Sequence, residues 1–164
     1  MLKNKFNADQ FENNRIRIEI EANRFLLEHI IRVYKQFDGD LVSAIVLGVI
    51  SFHTISTIAK AHGYDTFKIS DILSELSDRS IQPCNAYSIS ESTGIPRETV
   101  RRKIEKLIQA GFIVKNDKSE VYFKEGTQFF FSNFSLETVN NILNSASNLR
   151  KILIYEEGSG AGAP

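Results

Sequence analysis

The sequence has a single cysteine, Cys84, and no net charge. One thiol excludes an internal disulfide and suits a reducing compartment, so the expected location is cytoplasmic. Twenty basic residues offset twenty acidic ones. No global field therefore marks the chain for nucleic acid, and any such signal has to be local. Catalytic constellations are missing too. His29, His53 and His62 share no ligand spacing with Cys84 or with a pair of carboxylates, so no metal centre is expected. The glycines are scattered or sit in the tail, which leaves no loop to cradle a phosphate. The opening stretch MLKNKFNADQFENN is polar and lacks the apolar run of a secretory signal. These gaps argue against an enzyme and predict no cofactor.

What is present is an ordinary globular composition. The 164 residues are 42% hydrophobic and 24% charged, enough for one domain with a real core. Residues 41–59, LVSAIVLGVISFHTISTIA, carry no Asp, Glu, Lys or Arg and are long enough to span a bilayer. Ser43, Ser51, His53, Thr54, Ser56 and Thr57 dilute that run and offset much of its tendency to insert. The pattern predicts a central helix packed on several sides, and no membrane partner.

Around it the chain reads as mostly helical. Residues 1–37 hold one long predicted helix, from about residue 10 to 36, with an apolar stripe at Ile16, Ile20, Leu27, Ile31 and Tyr34. Gly39 stops it, and Asp38 or Asp40 caps the buried helix of residues 40–60. A short amphipathic helix is predicted over 69–76, capped by Ser70, followed by a loop that Pro83 keeps from continuing. Residues 126–156 form a terminal helix with a broken stripe of Leu136, Val139, Ile142, Leu143, Leu149 and Ile152. Asn133 or Ser135 is its expected cap, with Glu137 in the first turn. Residues 157–164 are a small-residue tail.

The informative stretch is residues 85–113, NAYSISESTGIPRETVRRKIEKLIQAGFI. Asn85 can cap a short helix that buries Ile89 and keeps Ser90 small. Gly94 supplies a left-handed residue between two helices, Ile95 fills the corner, and Pro96 opens the second helix. Val100, Ile104, Leu107 and Ile108 then share one apolar face. Gly111 ends the helix. An apolar run, a polar turn at 116–119 and the run VYF give a hairpin signal. The order of these parts over residues 85–123 resembles the winged helix-turn-helix superfamily, and is similar to bacterial regulators of the MarR and GntR types. The fold class expected for 38–125 is thus mainly α with a small antiparallel β-hairpin wing, flanked by N- and C-terminal dimerisation helices.

Charge is local at the same place. Residues 97–118 contain seven basic side chains against Glu98, Glu105 and Asp117, an excess of four (7 − 3) in a neutral chain. The resemblance implies sequence-specific binding of double-stranded DNA, with a recognition helix of residues 96–109 in the major groove. It places Arg97, Glu98, Arg101 and Arg102 on base edges and Asn85, Ser88, Thr99, Lys103 and Lys106 on phosphates. Wing residues 112–123 would bring Lys115, Asn116 and Lys118 to the backbone or minor groove. Pairs such as Glu98–Arg102 and Arg101–Glu105 offer a plainer account, a solvated face of ion pairs. At about 0.3–0.5 kcal/mol each, such pairs do not explain a basic excess. A protein-interaction winged helix, a non-specific DNA-organising protein and a membrane-attached regulator are the alternatives. The two striped helices are expected to pack together and against a second copy, giving a homodimer. Phe129, Phe130 and Phe131 are expected in core or interface packing, or lining the pocket of a small-molecule effector. Cys84 stands one residue before the motif, where an oxidation sensor would be well placed.

Overall fold

The computed structural model describes residues 8–62, 84–124 and 126–154. The predicted helix at 69–76, the loop at Pro83 and the tail at 157–164 lie outside the described residues, as does the side chain of Phe129. In chain order the elements are α1 (Ala8–Asn13), α2 (Arg15–Gln36), α3 (Leu41–His62), α4 (Ala86–Thr93) and α5 (Arg97–Gln109). They continue with β1 (Ile113–Lys115), β2 (Val121–Phe123), α6 (Thr127–Phe130) and α7 (Ser132–Ile154). The chain is mainly α with one small two-stranded antiparallel sheet among the described residues. It divides into a unit of Val33–Phe131 and a unit of the flanking segments.

The unit of Val33–Phe131 holds the main core. Val46, Leu47 and Ile50 of α3 meet Ile89 of α4 and Val100, Ile104 and Leu107 of α5. Ile113, Val121 and Phe123 of the hairpin close the cluster, and Phe37, Phe112 and Phe131 pack against it. Phe131 stacks on Phe37 with ring centroids 5.8 Å apart, and Phe112 lies 5.5 Å from Phe131. Phe130 stays exposed. The apolar spacing of α5 explains its orientation, because positions 100, 104 and 107 fall on one side of a 3.6-residue helix. α3 buries one side, including Ser43 and Thr54, and leaves Ile45 and Phe52 exposed, so it is not enclosed all round.

Local chemistry sets the boundaries. Asn85 takes extended backbone angles, and its side-chain oxygen accepts the N–H groups of Tyr87 and Ser88, both at 3.0 Å. The Ser88 hydroxyl accepts the Asn85 N–H in return, completing a capping box. Gly94 ends α4 at φ 71°, where a side chain would be strained. Ser90, inside α4, donates its hydroxyl to the Ile95 carbonyl at 2.7 Å and holds the turn closed. Pro96 is the residue before α5, with φ −53° and ψ 133°; the helix starts at Arg97, one residue later than the sequence suggests. At the other end Gly111, at φ 78°, lets Phe112 N–H reach the Leu107 carbonyl and Gly111 N–H the Ile108 carbonyl. That pair of bonds is a Schellman stop.

The hairpin pairs Ile113 with Phe123, Val114 with Tyr122 and Lys115 with Val121. Ile113, Val121 and Phe123 are buried while Val114 is exposed and Tyr122 half-buried, the alternation expected of a one-sided strand pair; Lys115, at the end of β1, is exposed as well. Cys84 adds a third short partner: Val121 N–H donates to the Cys84 carbonyl at 2.8 Å, forming an antiparallel bridge.

In the flanking unit the long predicted helix is two. Asn14 interrupts it, and its side-chain amide donates to the Gln10 carbonyl at 3.0 Å, competing with the backbone ladder. α7 begins at Ser132, so Asn133 and Ser135 lie inside it and Glu137 is past the first turn. Glu137 instead pairs with Arg32 at 3.0 Å. The Arg32 guanidinium also donates to the Phe134 carbonyl and lies 4.6 Å over the Phe134 ring. Among the described residues of α2, only Ile18 is buried. Ile16, Ile20, Leu27 and Ile31 of α2 and Leu136, Val139, Ile142 and Leu143 of α7 are all exposed.

Candidate nucleic-acid interface

The core side of α5 dictates what its other side presents. With Val100, Ile104 and Leu107 turned inward, Arg97, Glu98, Arg101, Arg102 and Glu105 are exposed together. Arg101 lies 4.0 Å from Glu98, three residues back, and both side chains are mostly in water. Such a pair contributes little, at most a few tenths of a kcal/mol. The Glu98–Arg102 and Arg101–Glu105 pairings anticipated from spacing are not formed; Glu105 pairs across to Lys115 of β1 at 3.0 Å. The Arg97 guanidinium sits 6.0 Å over the ring of Tyr87, at the outer limit of a cation–π interaction.

Arg97, Arg101, Lys115, Lys118 and Asn85 converge. They line one polar basin of about 320 Å³ between the start of α4, the outer face of α5 and the hairpin turn, with Tyr87 on its wall. Four cations and one paired acid face the same space. A guanidinium there presents a planar fork that suits a phosphate or a guanine edge. Tyr87 escapes sequence reasoning, although the register offered the signal: with Ile89 turned inward, the position two before it points out.

Several expected nucleic-acid ligands have other occupations. Asn85 and Ser88 spend their side chains on the α4 cap. Asn116 builds the hairpin turn: its side-chain oxygen accepts the N–H groups of Lys118 and Glu120, both at 3.0 Å, and its amide donates to the Glu120 carboxylate at 2.7 Å. Thr99 is half-buried on α5. Lys103, half-buried, and Lys106, still exposed, are both engaged in ion pairs. Their ammonium groups reach Asp40, each at 2.8 Å.

Asp40 is the expected cap of α3, but it has a second role that no local pattern reveals. It precedes α3, where its carboxylate accepts the Ser43 N–H at 3.0 Å and the Ser43 hydroxyl at 2.8 Å while holding both lysines. Burial alone would raise its pKa. The two lysines and Ser43 outweigh that and hold the carboxyl well below the usual carboxylate range.

Cys84 is only 3% exposed, and burial pushes its thiol up to about 11. A sensor thiol needs the opposite, an accessible and readily ionised sulfur. Among the described residues no group of three or more His, Cys, Asp or Glu side chains is placed to hold a metal. No single helix among them is long and apolar enough to cross a membrane. No protein-family model, curated protein or solved structure matches the chain.

The Asp40 cluster has a definite pH signature. An unfolded aspartate titrates near about 3.9 and the folded one lower, so the stability it contributes is full above that range and lost as pH falls through it. Asp40→Asn keeps an acceptor for Ser43 N–H but loses the charge. Its expected cost at pH 7 is about 1–2 kcal/mol, toward the low end because Lys106 is largely exposed. Urea unfolding at pH 7, 5 and 3 should show a gap between variant and parent that persists to pH 5 and narrows at pH 3. A gap independent of pH would show that the charge is not what stabilises.

Proposed function

We propose that this chain is a winged helix-turn-helix regulator that binds double-stranded DNA as a homodimer. The observation that carries the reading is the cluster of Arg97, Arg101 and Arg102 on the exposed face of a helix whose opposite face is core. The two helices joined at Gly94, the hairpin after Gly111 and the Cys84 bridge to Val121 support the resemblance in residues 85–123. In this reading α5 enters the major groove, where Arg97, Arg101 and Arg102 fork onto base edges or phosphates. Lys115 and Lys118 on the hairpin meet the backbone. Glu98 and Glu105 temper the field and, placed against phosphate, disfavour a wrong register. Thr99, half-buried near the start of α5, is left for a backbone contact.

A dimer fits the exposed stripes of α2 and α7. Ten large aliphatic side chains in water on two helices, Leu26 and Ile30 among them, are more than an isolated surface usually carries, and a second copy would remove them from solvent. Two protomers would then read two half-sites about one helical turn apart.

Two measurements test the proposal. Fluorescence anisotropy on a random-sequence duplex pool, titrated at several salt concentrations, should give a steep log–log salt dependence. Arg101→Ala with Arg102→Ala should flatten the slope by up to about 1.8, at about 0.9 for each phosphate no longer neutralised. If the folded parent protein fails to bind even at low salt, the DNA reading is wrong and a protein-interaction module takes its place. Sedimentation equilibrium should find a dimer at micromolar concentration. Leu27→Glu with Ile31→Glu should shift it to monomer; a parent protein that is monomeric throughout would contradict the dimer.

A further inference from the structure

Lys103 and Lys106 lie on the helix proposed to enter DNA, yet both ammonium groups are committed elsewhere. Each sits 2.8 Å from the Asp40 carboxylate, which is only 11% exposed and is also fixed by two bonds from Ser43. Lys103 is itself mostly covered, at 24% exposure. A carboxylate with four donors is firmly held, and a lysine that leaves it for a phosphate takes away one of the two counter-charges of a poorly solvated group. The three arginines of α5 are not tied in this way. Among the described residues Arg97 has only the distant Tyr87 ring, Arg101 only the 4.0 Å approach to Glu98, and Arg102 no ion pair.

We infer that Asp40 is a positioning residue that withholds Lys103 and Lys106 from DNA, so that the contribution of α5 to binding comes from its three arginines. The inference rests on the DNA-binding reading. A lysine ammonium is a compact point charge that neutralises phosphate readily, whereas the planar arginine fork matches a guanine edge at two points. Tying down two lysines therefore lowers sequence-independent affinity and leaves base-reading groups intact. The same clamp joins the residue before α3 to the middle of α5 across 63 positions of sequence. One acidic residue, distant in sequence from the exposed arginines, would thus set the ratio of specific to non-specific binding.

The test is the salt dependence of binding to a random-sequence duplex pool by three full-length proteins: the parent, Asp40→Asn, and Lys103→Gln with Lys106→Gln. Circular dichroism confirms that each is folded. The inference predicts that Asp40→Asn binds several-fold more tightly at low salt and that its slope steepens by up to about 1.8, two phosphates at about 0.9 each. The lysine double variant should keep the parent's slope. Adding the lysine changes to Asp40→Asn should return the slope to the parent's value. An unchanged slope in folded Asp40→Asn overturns the inference, as does a lysine double variant whose slope flattens, because the lysines would then already be on phosphate. If Asp40→Asn does not fold, the lysine double variant alone decides. A parent protein with no salt-dependent binding removes the DNA reading itself, an outcome distinct from the other failures.

Discussion

The packing of α5 against α3 is the constraint on which the rest of the Val33–Phe131 unit depends. Val100, Ile104 and Leu107 interlock with Val46, Leu47 and Ile50, and that packing settles which side of α5 faces water. Removing any one of these side chains would leave a cavity, and such core truncations typically cost about 2–5 kcal/mol. The arginine face is therefore a consequence of the core. Rotating α5 by a single residue would carry Arg101 or Ile104 about 100° around the helix and put a charge inside.

Asp40 secures the same packing by a different kind of force. Close core packing sets the rotation of α5, and a carboxylate holding two ammonium groups at 2.8 Å adds a polar tie to the same arrangement. Its position at the start of α3 lets one residue serve as a helix cap and as an anchor for α5. The cost is that two basic residues of α5 no longer contribute freely to the outer field. The basic excess counted over residues 97–118 thus overstates the charge available to a partner.

Much of the local architecture is legible in the sequence because it rests on short-range rules. The Asn85 cap, the left-handed Gly94, the inward Ile89 and the alternation across Ile113 and Val121 each follow from a few neighbouring residues. The central assembly of exposed arginines is legible too, since helical periodicity gives the outer face once the inner one is known. What escapes depends on long-range pairing. Nothing near Lys103 or Lys106 announces Asp40, and placing them on phosphate follows from residue type alone. Asn116 carries the composition of a DNA-facing residue but is consumed by its own turn. The stripes of α2 and α7 are periodic, yet periodicity cannot name what covers them; in the single chain they remain in water.

The central claim is that the outer face of α5 and the adjacent hairpin meet DNA. Amide chemical-shift perturbation with isotopically labelled protein tests it most directly, by adding a mixed-sequence duplex at low salt. Shifts should concentrate at Arg97, Arg101, Arg102 and residues 115–118, with Val46 and Ile50 of the core nearly unmoved. An absence of shifts at excess duplex, or shifts confined to α2 and α7, would contradict it.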